Sequence, residues 1–176
     1  MATTEDQAVP KRAKTTASER RKALRQQLWP EITEKQLWLR SRRTGFTTIP
    51  RTMPLIGQIL DQHSGKGFPL ASTYLTLWCW VHDEGLVDIR NAREVAHESG
   101  FSGPRAEATW RSRMKRLVDF GFIRAKTGLA GEYQYVLLLN PLIRIKEIYE
   151  ESGREDVLYT ALLGRMAQVG ADDMDV

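Results

Sequence analysis

From Pro104 to Asp119 the residues PRAEATWRSRMKRLVD set Arg105, Thr109, Ser112 and Arg116 at spacings of four, three and four, along one side of a helix, with Arg111, Arg113 and Lys115 at its edges. Arg124 and Lys126 follow at period two on one face of a short strand. Guanidiniums, an ammonium and two hydroxyls supply hydrogen bonds and positive charge, and no nucleophile motif surrounds the hydroxyls. Such a set recognises phosphates and base edges. A helix of about 10 to 12 Å diameter fits a duplex major groove about 12 Å wide, and an adjoining hairpin can touch the flanking backbone.

The elements that must hold these residues are legible around them. Ala106, Trp110, Met114 and Leu117 form an apolar stripe on the other side of helix 104–119, which opens at Pro104 and closes at Asp119-Phe120-Gly121. Phe122 to Lys126 and Tyr133 to Leu139 read as the strands of hairpin 122–139, joined across Thr127 to Glu132. Upstream, Leu86 to Ile89 reads as a strand. Asn91 then caps a helix that ends at Gly100, with Val95 and Ala96 inward and Glu94 placed to bond back to the cap.

Phe68 to Glu84 reads as a core helix bearing Leu70, Tyr74, Leu77, Trp78 and Val81, with Gly85 as its left-handed cap. Downstream, Asn140-Pro141 opens a helix to about Glu151, and Glu155 to Val169 carries a stripe of Leu158, Leu162, Met166 and Val169 that either packs inward or seals a dimer. Before the core helix the pattern predicts helices from Ser18 to Trp29-Pro30, from Thr33 to about Arg43 with Leu37 and Trp38 inward, and from Pro54 to His63 with Leu55, Ile59 and Leu60 buried. Ser64-Gly-Lys-Gly67 lacks the leading glycine and the Lys-Ser/Thr ending of a phosphate loop, so it reads as an inter-helix turn.

The expected organisation is therefore a disordered basic arm over 1–17, an N-terminal helical extension over 18–63, a central domain over 64–140, C-terminal helices over 141–170 and an acidic tail over 171–176. The fold class is mostly α with a small β-sheet. The basic run from Lys11 to Arg25 is either a phosphate-touching arm or a solvated tail.

Composition narrows the function classes. With 41% hydrophobic and 27% charged residues in 176, the chain can bury a core, and no apolar run approaches the roughly 20 residues of a membrane span. Cys79 is the single cysteine, which excludes an intrachain disulfide and points, with the lack of an apolar leader, to the cytoplasm. His63, His82 and His97 fall in no ligand spacing and the carboxylates are scattered, so neither a metal, a cofactor nor catalysis is expected. The net charge of +4 is unevenly spread: residues 1–44 carry +6, 45–104 carry −2, 105–140 carry +4 and 141–176 carry −4. Two basic blocks alternating with two acidic ones suit a localised polyanion contact.

Asn91-Ala-Arg-Glu-Val-Ala-His-Glu-Ser-Gly-Phe101 followed by Met114-Lys-Arg-Leu-Val-Asp-Phe-Gly-Phe-Ile123 resembles the winged helix-turn-helix family over roughly residues 68–140. The preceding helix and the Leu138-Leu-Asn-Pro141 exit resemble plasmid or phage replication initiators and related regulators. The turn at Phe101 to Ala106 is a few residues longer than the family's usual one.

The resemblance implies double-stranded DNA binding, with helix 104–119 in the major groove and hairpin 122–139 as wing, in a transcriptional regulator or a replication or partition factor. Thr109, Arg111 and Ser112 match the base-facing positions, and Arg111, whose fork reaches two acceptors on one base edge, is the expected guanine contact. Arg105, Arg113, Lys115, Arg116, Arg124 and Lys126 are the expected phosphate contacts. One such helix reads few base pairs, so a homodimer on a symmetric site is expected. The rival reading is a winged-helix domain used for protein contact, whose sign would be an apolar exposed face on helix 104–119.

Overall fold

In the computed structural model, residues 16–172 and Met174 are described. They contain helices α1 (Ala17–Leu28), α2 (Met53–Ser64), α3 (Ala71–Trp80), α4 (Ala92–Glu98), α5 (Ala106–Asp119), α6 (Pro141–Ser152) and α7 (Val157–Val169). Three short strands, β1 (Leu86–Asp88), β2 (Ile123–Gly128) and β3 (Gly131–Leu138), form an antiparallel sheet in the order β1-β3-β2. The chain is mostly helical with this small sheet, an α+β arrangement. It divides into two compact units, the first ending at Gly45 and the second starting at Phe46.

In the first unit α1 is stabilised locally. Thr16 caps it, its hydroxyl accepting from the Glu19 N–H at 3.2 Å while the Glu19 carboxylate accepts from the Thr16 N–H at 2.7 Å. No residue of α1 is buried. Thr16 and Ala17, expected in a disordered arm, thus begin a helix, and the rest of that arm lies outside the described residues. The helix expected over Thr33 to Arg43 is reduced to one 3-10 turn at Arg40–Arg42, and Trp38 is 64% exposed rather than inward.

The second unit has one continuous core, built where apolar stripes meet. Ile56, Ile59 and Leu60 of α2, Tyr74 and Leu77 of α3, Val95 of α4, Trp110, Met114 and Leu117 of α5, and Ile145 of α6 are at most 1% exposed. The sheet adds Val87, Ile123 and Val136 from its inner face. So α2, grouped by the sequence with the N-terminal extension, packs on α3, α6 and α7 inside the larger unit.

Three local corrections have clear causes. The core helix starts at Ala71, not Phe68: Pro69 lacks an N–H, Phe68 closes a turn on the Gly65 carbonyl, and the Asp61 carboxylate accepts the Leu70 and Ala71 N–H groups at 2.6 and 2.8 Å. That helix ends at Trp80, and Gly85 (φ +72°) serves the turn into β1, where its carbonyl accepts the Leu138 N–H. Helix 104–119 begins after Arg105, so Pro104 lies in the turn before it.

At the C-terminal end Asp156 caps α7 through Tyr159 N–H and also accepts from Gln62 of α2 and the Tyr149 hydroxyl of α6 at 2.9 Å. Tyr159, Leu162 and Met166 turn inward, and α7 packs on α2. Met174, expected in a frayed tail, is buried, and its carbonyl accepts from Lys146; Asp173, Asp175 and Val176 of that tail lie outside the described residues.

Candidate nucleic-acid interface

Helix α5 owes its position to its buried stripe. Ala106, Trp110, Met114 and Leu117 are 0 to 8% exposed, as their spacing predicts, and the Trp110 ring meets Tyr133 of β3 edge-on at 5.9 Å. That contact brings the hairpin alongside the first half of α5. A Cβ added at Gly131 would lie 3.6 Å from the Arg111 guanidinium.

The hairpin is pinned as well. Gln134 is 8% exposed; its carboxamide oxygen accepts the Ala130 N–H of the turn at 2.9 Å, and its NH2 donates to Asp88 of β1 at 3.2 Å. A Cβ at Gly128 would collide with this carboxamide and with the Tyr135 ring. The hydrogen bonds from Arg90 and Gln134 hold the Asp88 carboxyl below the usual range. The turn between the strands is tighter than the six-residue connection expected, because β2 runs on to Gly128 and β3 starts at Gly131, leaving the fully exposed Leu129 and Ala130 at the tip.

The nine sequence-derived residues divide into three groups. Arg105, the residue that caps α5, and Ser112 and Arg116 on that helix are exposed, as are Arg124 and Lys126 on β2, while Ile123 and Ala125 face the core side as expected. Thr109 is half-buried beside them. Among the described residues Arg105, Arg124 and Lys126 form no ion pair. The second group is neutralised on the helix itself: Arg111 pairs with Glu107 at 2.7 Å and Lys115 with Asp119 at 2.9 Å, each four residues apart. Arg111, expected to reach outward for a base, lies in a fork on Glu107, with both Nε and an NH2 bonded. Such pairs stabilise a helix by only about 0.3 to 0.5 kcal/mol and are screened by salt, so either cation can leave its partner for a stronger anion.

Arg113 forms the third group and corrects the expectation of an edge contact: it is 8% exposed, with its guanidinium 3.5 Å from the centroid of the Phe68 ring. Its position explains this. Residue 113 stands three after Trp110 and four before Leu117, inside the apolar stripe. Stacking of this kind is worth about 0.5 to 2 kcal/mol, whereas burying an unpaired charge costs several kcal/mol. Burial lowers the pKa of Arg113 accordingly. Arg116 shares the same ring at 5.8 Å and also lies over Phe120 at 5.0 Å.

Sequence reasoning missed this aromatic set and the Gln134 bridge. Phe68 could have been found: Pro69 excludes it from the helix that follows, which leaves a large ring in a glycine turn needing a partner.

Arg144 of α6, in an acidic segment, is occupied structurally. It donates to the Phe120 carbonyl at 2.7 Å and to Glu147 at 2.8 Å, fixing the corner between α5 and β2. No three His, Cys, Asp or Glu side chains among the described residues gather where they could hold a metal. None of the described helices is long and apolar enough to cross a membrane. Comparison of the chain with protein-family models, with curated proteins and with solved structures returns no match to any of them.

Proposed function

We propose that the second unit binds double-stranded DNA as a winged helix-turn-helix, with α5 in the major groove and the β2–β3 hairpin as the wing. The observation that carries this reading is the exposed set of Arg105 at the cap of α5, Ser112 and Arg116 on it, and Arg124 and Lys126 on β2, with the helix joined to the hairpin through Trp110 and Tyr133 of β3. The element order α3-β1-α4-α5-β2-β3 and the strand order β1-β3-β2 suit the same reading. The role is that of a transcriptional regulator or a plasmid or phage replication or partition factor acting in the cytoplasm. Selectivity calls for two copies on a symmetric site. Because the α7 stripe is spent within the chain, Leu24 and Leu28 of α1 and Trp29 just after it, each 54% exposed, are the apolar surface offered to a second copy.

Arg105, Arg116, Arg124 and Lys126 as phosphate contacts imply a slope of about −3.6 in log K against log salt, roughly a hundredfold loss of affinity from 50 to 200 mM. The test is selection from a random duplex pool, followed by anisotropy titrations across salt. A recovered symmetric site and a slope near that value support the reading, and no binding below about 100 μM at 50 mM salt overturns it. One observation favours the rival, a protein-contact module: an apolar cleft of about 640 Å³ lined by Ile49, Met53, Gly57, Ala71 and Leu75. In that case duplex binding would be absent.

A further inference from the structure

The cations of α5 are treated unequally. Arg111 and Lys115 each have a carboxylate of their own, while Arg113 and Arg116 have none among the described residues and share the single ring of Phe68. Two guanidiniums on one ring repel each other, and the nearer is almost wholly buried. Its Nε is sealed from solvent with no partner, and its one hydrogen bond, to the Ser112 hydroxyl, is long at 3.4 Å. Phe101 lies 5.9 Å away on the same guanidinium, so aromatic edges and faces stand where a counter-charge would be expected. Phe68 reaches this place from the turn Gly65 to Phe68, whose glycines at 65 and 67 have positive φ and which carries Lys66. We infer that Phe68, Arg113 and Arg116 form a seat for a phosphate group, with Lys66 on the adjoining turn as a further cation.

The chemistry follows from the fork. A phosphate oxyanion presents acceptors in the geometry that guanidinium N–H groups match, and it relieves the repulsion between the two arginines while the ring keeps their planes oriented. A carboxylate from the chain would compete with such a ligand for the same guanidiniums, as Glu107 does at Arg111. Leaving them unpaired keeps the seat ready for a ligand. The group is either a backbone phosphate of a bound duplex, which rests on the DNA-binding reading, or a free phosphate, which does not.

Both sources are tested on the full chain with Arg113→Met, which keeps the buried apolar volume, and Arg116→Met, which alters an exposed residue and leaves the core intact. One arm measures the salt slope for a random duplex. The other measures the thermal midpoint with pyrophosphate at matched ionic strength. A slope shallower by about 0.9 in each variant places a backbone phosphate in the seat. An unchanged slope, or a wild type that binds no duplex, together with pyrophosphate protection present in the wild type and lost in both variants, assigns a free phosphate. Equal slopes and equal protection across all three proteins overturn the inference and leave Arg113 as packing. Should Arg113→Met not fold, Phe68→Leu decides through affinity and protection: weaker duplex binding or lost pyrophosphate protection supports the seat, and the absence of both changes overturns it.

Discussion

Helices α1 and α5 are close in length and both rich in cations, yet they are held in opposite ways. The first carries Arg20, Arg21, Lys22 and Arg25 and buries nothing; its order comes from the Thr16 capping box, and Glu34 draws Lys22, Arg25 and Arg42 together at 2.5 to 3.5 Å. The second buries five residues, and the core decides where its charges point. A 12-residue helix without tertiary support is marginal in water. The difference teaches that a cationic helix presents its charges in a fixed direction only when an apolar stripe sets its rotation. Charge alone makes a contact that is adjustable and unspecific.

The strongest way to break this contrast is to remove the anchor. Trp110→Ala should cost about 3 to 5 kcal/mol in denaturant unfolding and abolish duplex binding, whereas Leu24→Ala on α1 should leave the unfolding midpoint within about 0.5 kcal/mol. If both variants unfolded alike, α1 would have to be part of the cooperative core.

Caps sharpen it further. Asp156→Ala, at a cap joined to Gln62 and Tyr149, should lower global stability by about 2 kcal/mol. Thr16→Ala should cost about 1 kcal/mol of local helix, seen as faster amide exchange in α1 with an unmoved global midpoint.

The Asp156 cap also predicts a pH dependence. Burial pushes this carboxyl up, but the hydrogen bonds from the Tyr159 backbone, Gln62 and Tyr149 together bring it below the usual range. A depressed folded pKa gives stability that is present above the unfolded value of about 3.9 and is lost as pH falls below it. The thermal midpoint of the wild type should therefore converge on that of Asp156→Asn as pH falls below about 4. Parallel curves would mean that the carboxyl is not held in its charged form.

The smallest expected effect is Glu107→Gln. Releasing Arg111 from its fork should tighten duplex binding about twofold, in line with the few tenths of a kcal/mol such a pair is worth. Weaker binding would show that Glu107 positions Arg111 for its target rather than restraining it.

Much of this architecture was legible in the residues. The apolar stripe of α5, the Asn91 and Asn140 caps and the alternation of Ile123 to Lys126 were read from spacing, because each depends on local chemistry that the chain carries within a few residues. Three features were not, each for a physical reason. The start of α3 depends on Asp61, ten residues before Ala71, which no local pattern reveals. Periodicity places Trp38 inward, but a stretch with only a 3-10 turn has no face to bury. The charge of Arg113 suggests an edge contact, but its place in the stripe is the stronger indicator, since a long aliphatic stem and a flat guanidinium can occupy an inward position beside an aromatic ring.

The Gln134 carboxamide, shared between the hairpin turn and the strand before α4, has a mechanical corollary. On the proposed DNA-binding reading, a hairpin tethered at its tip would not swing to follow a double helix, and any mismatch in curvature would fall on the nucleic acid. Flanking base steps that flex easily would then be preferred without being touched, a selectivity written in stiffness rather than in contacts.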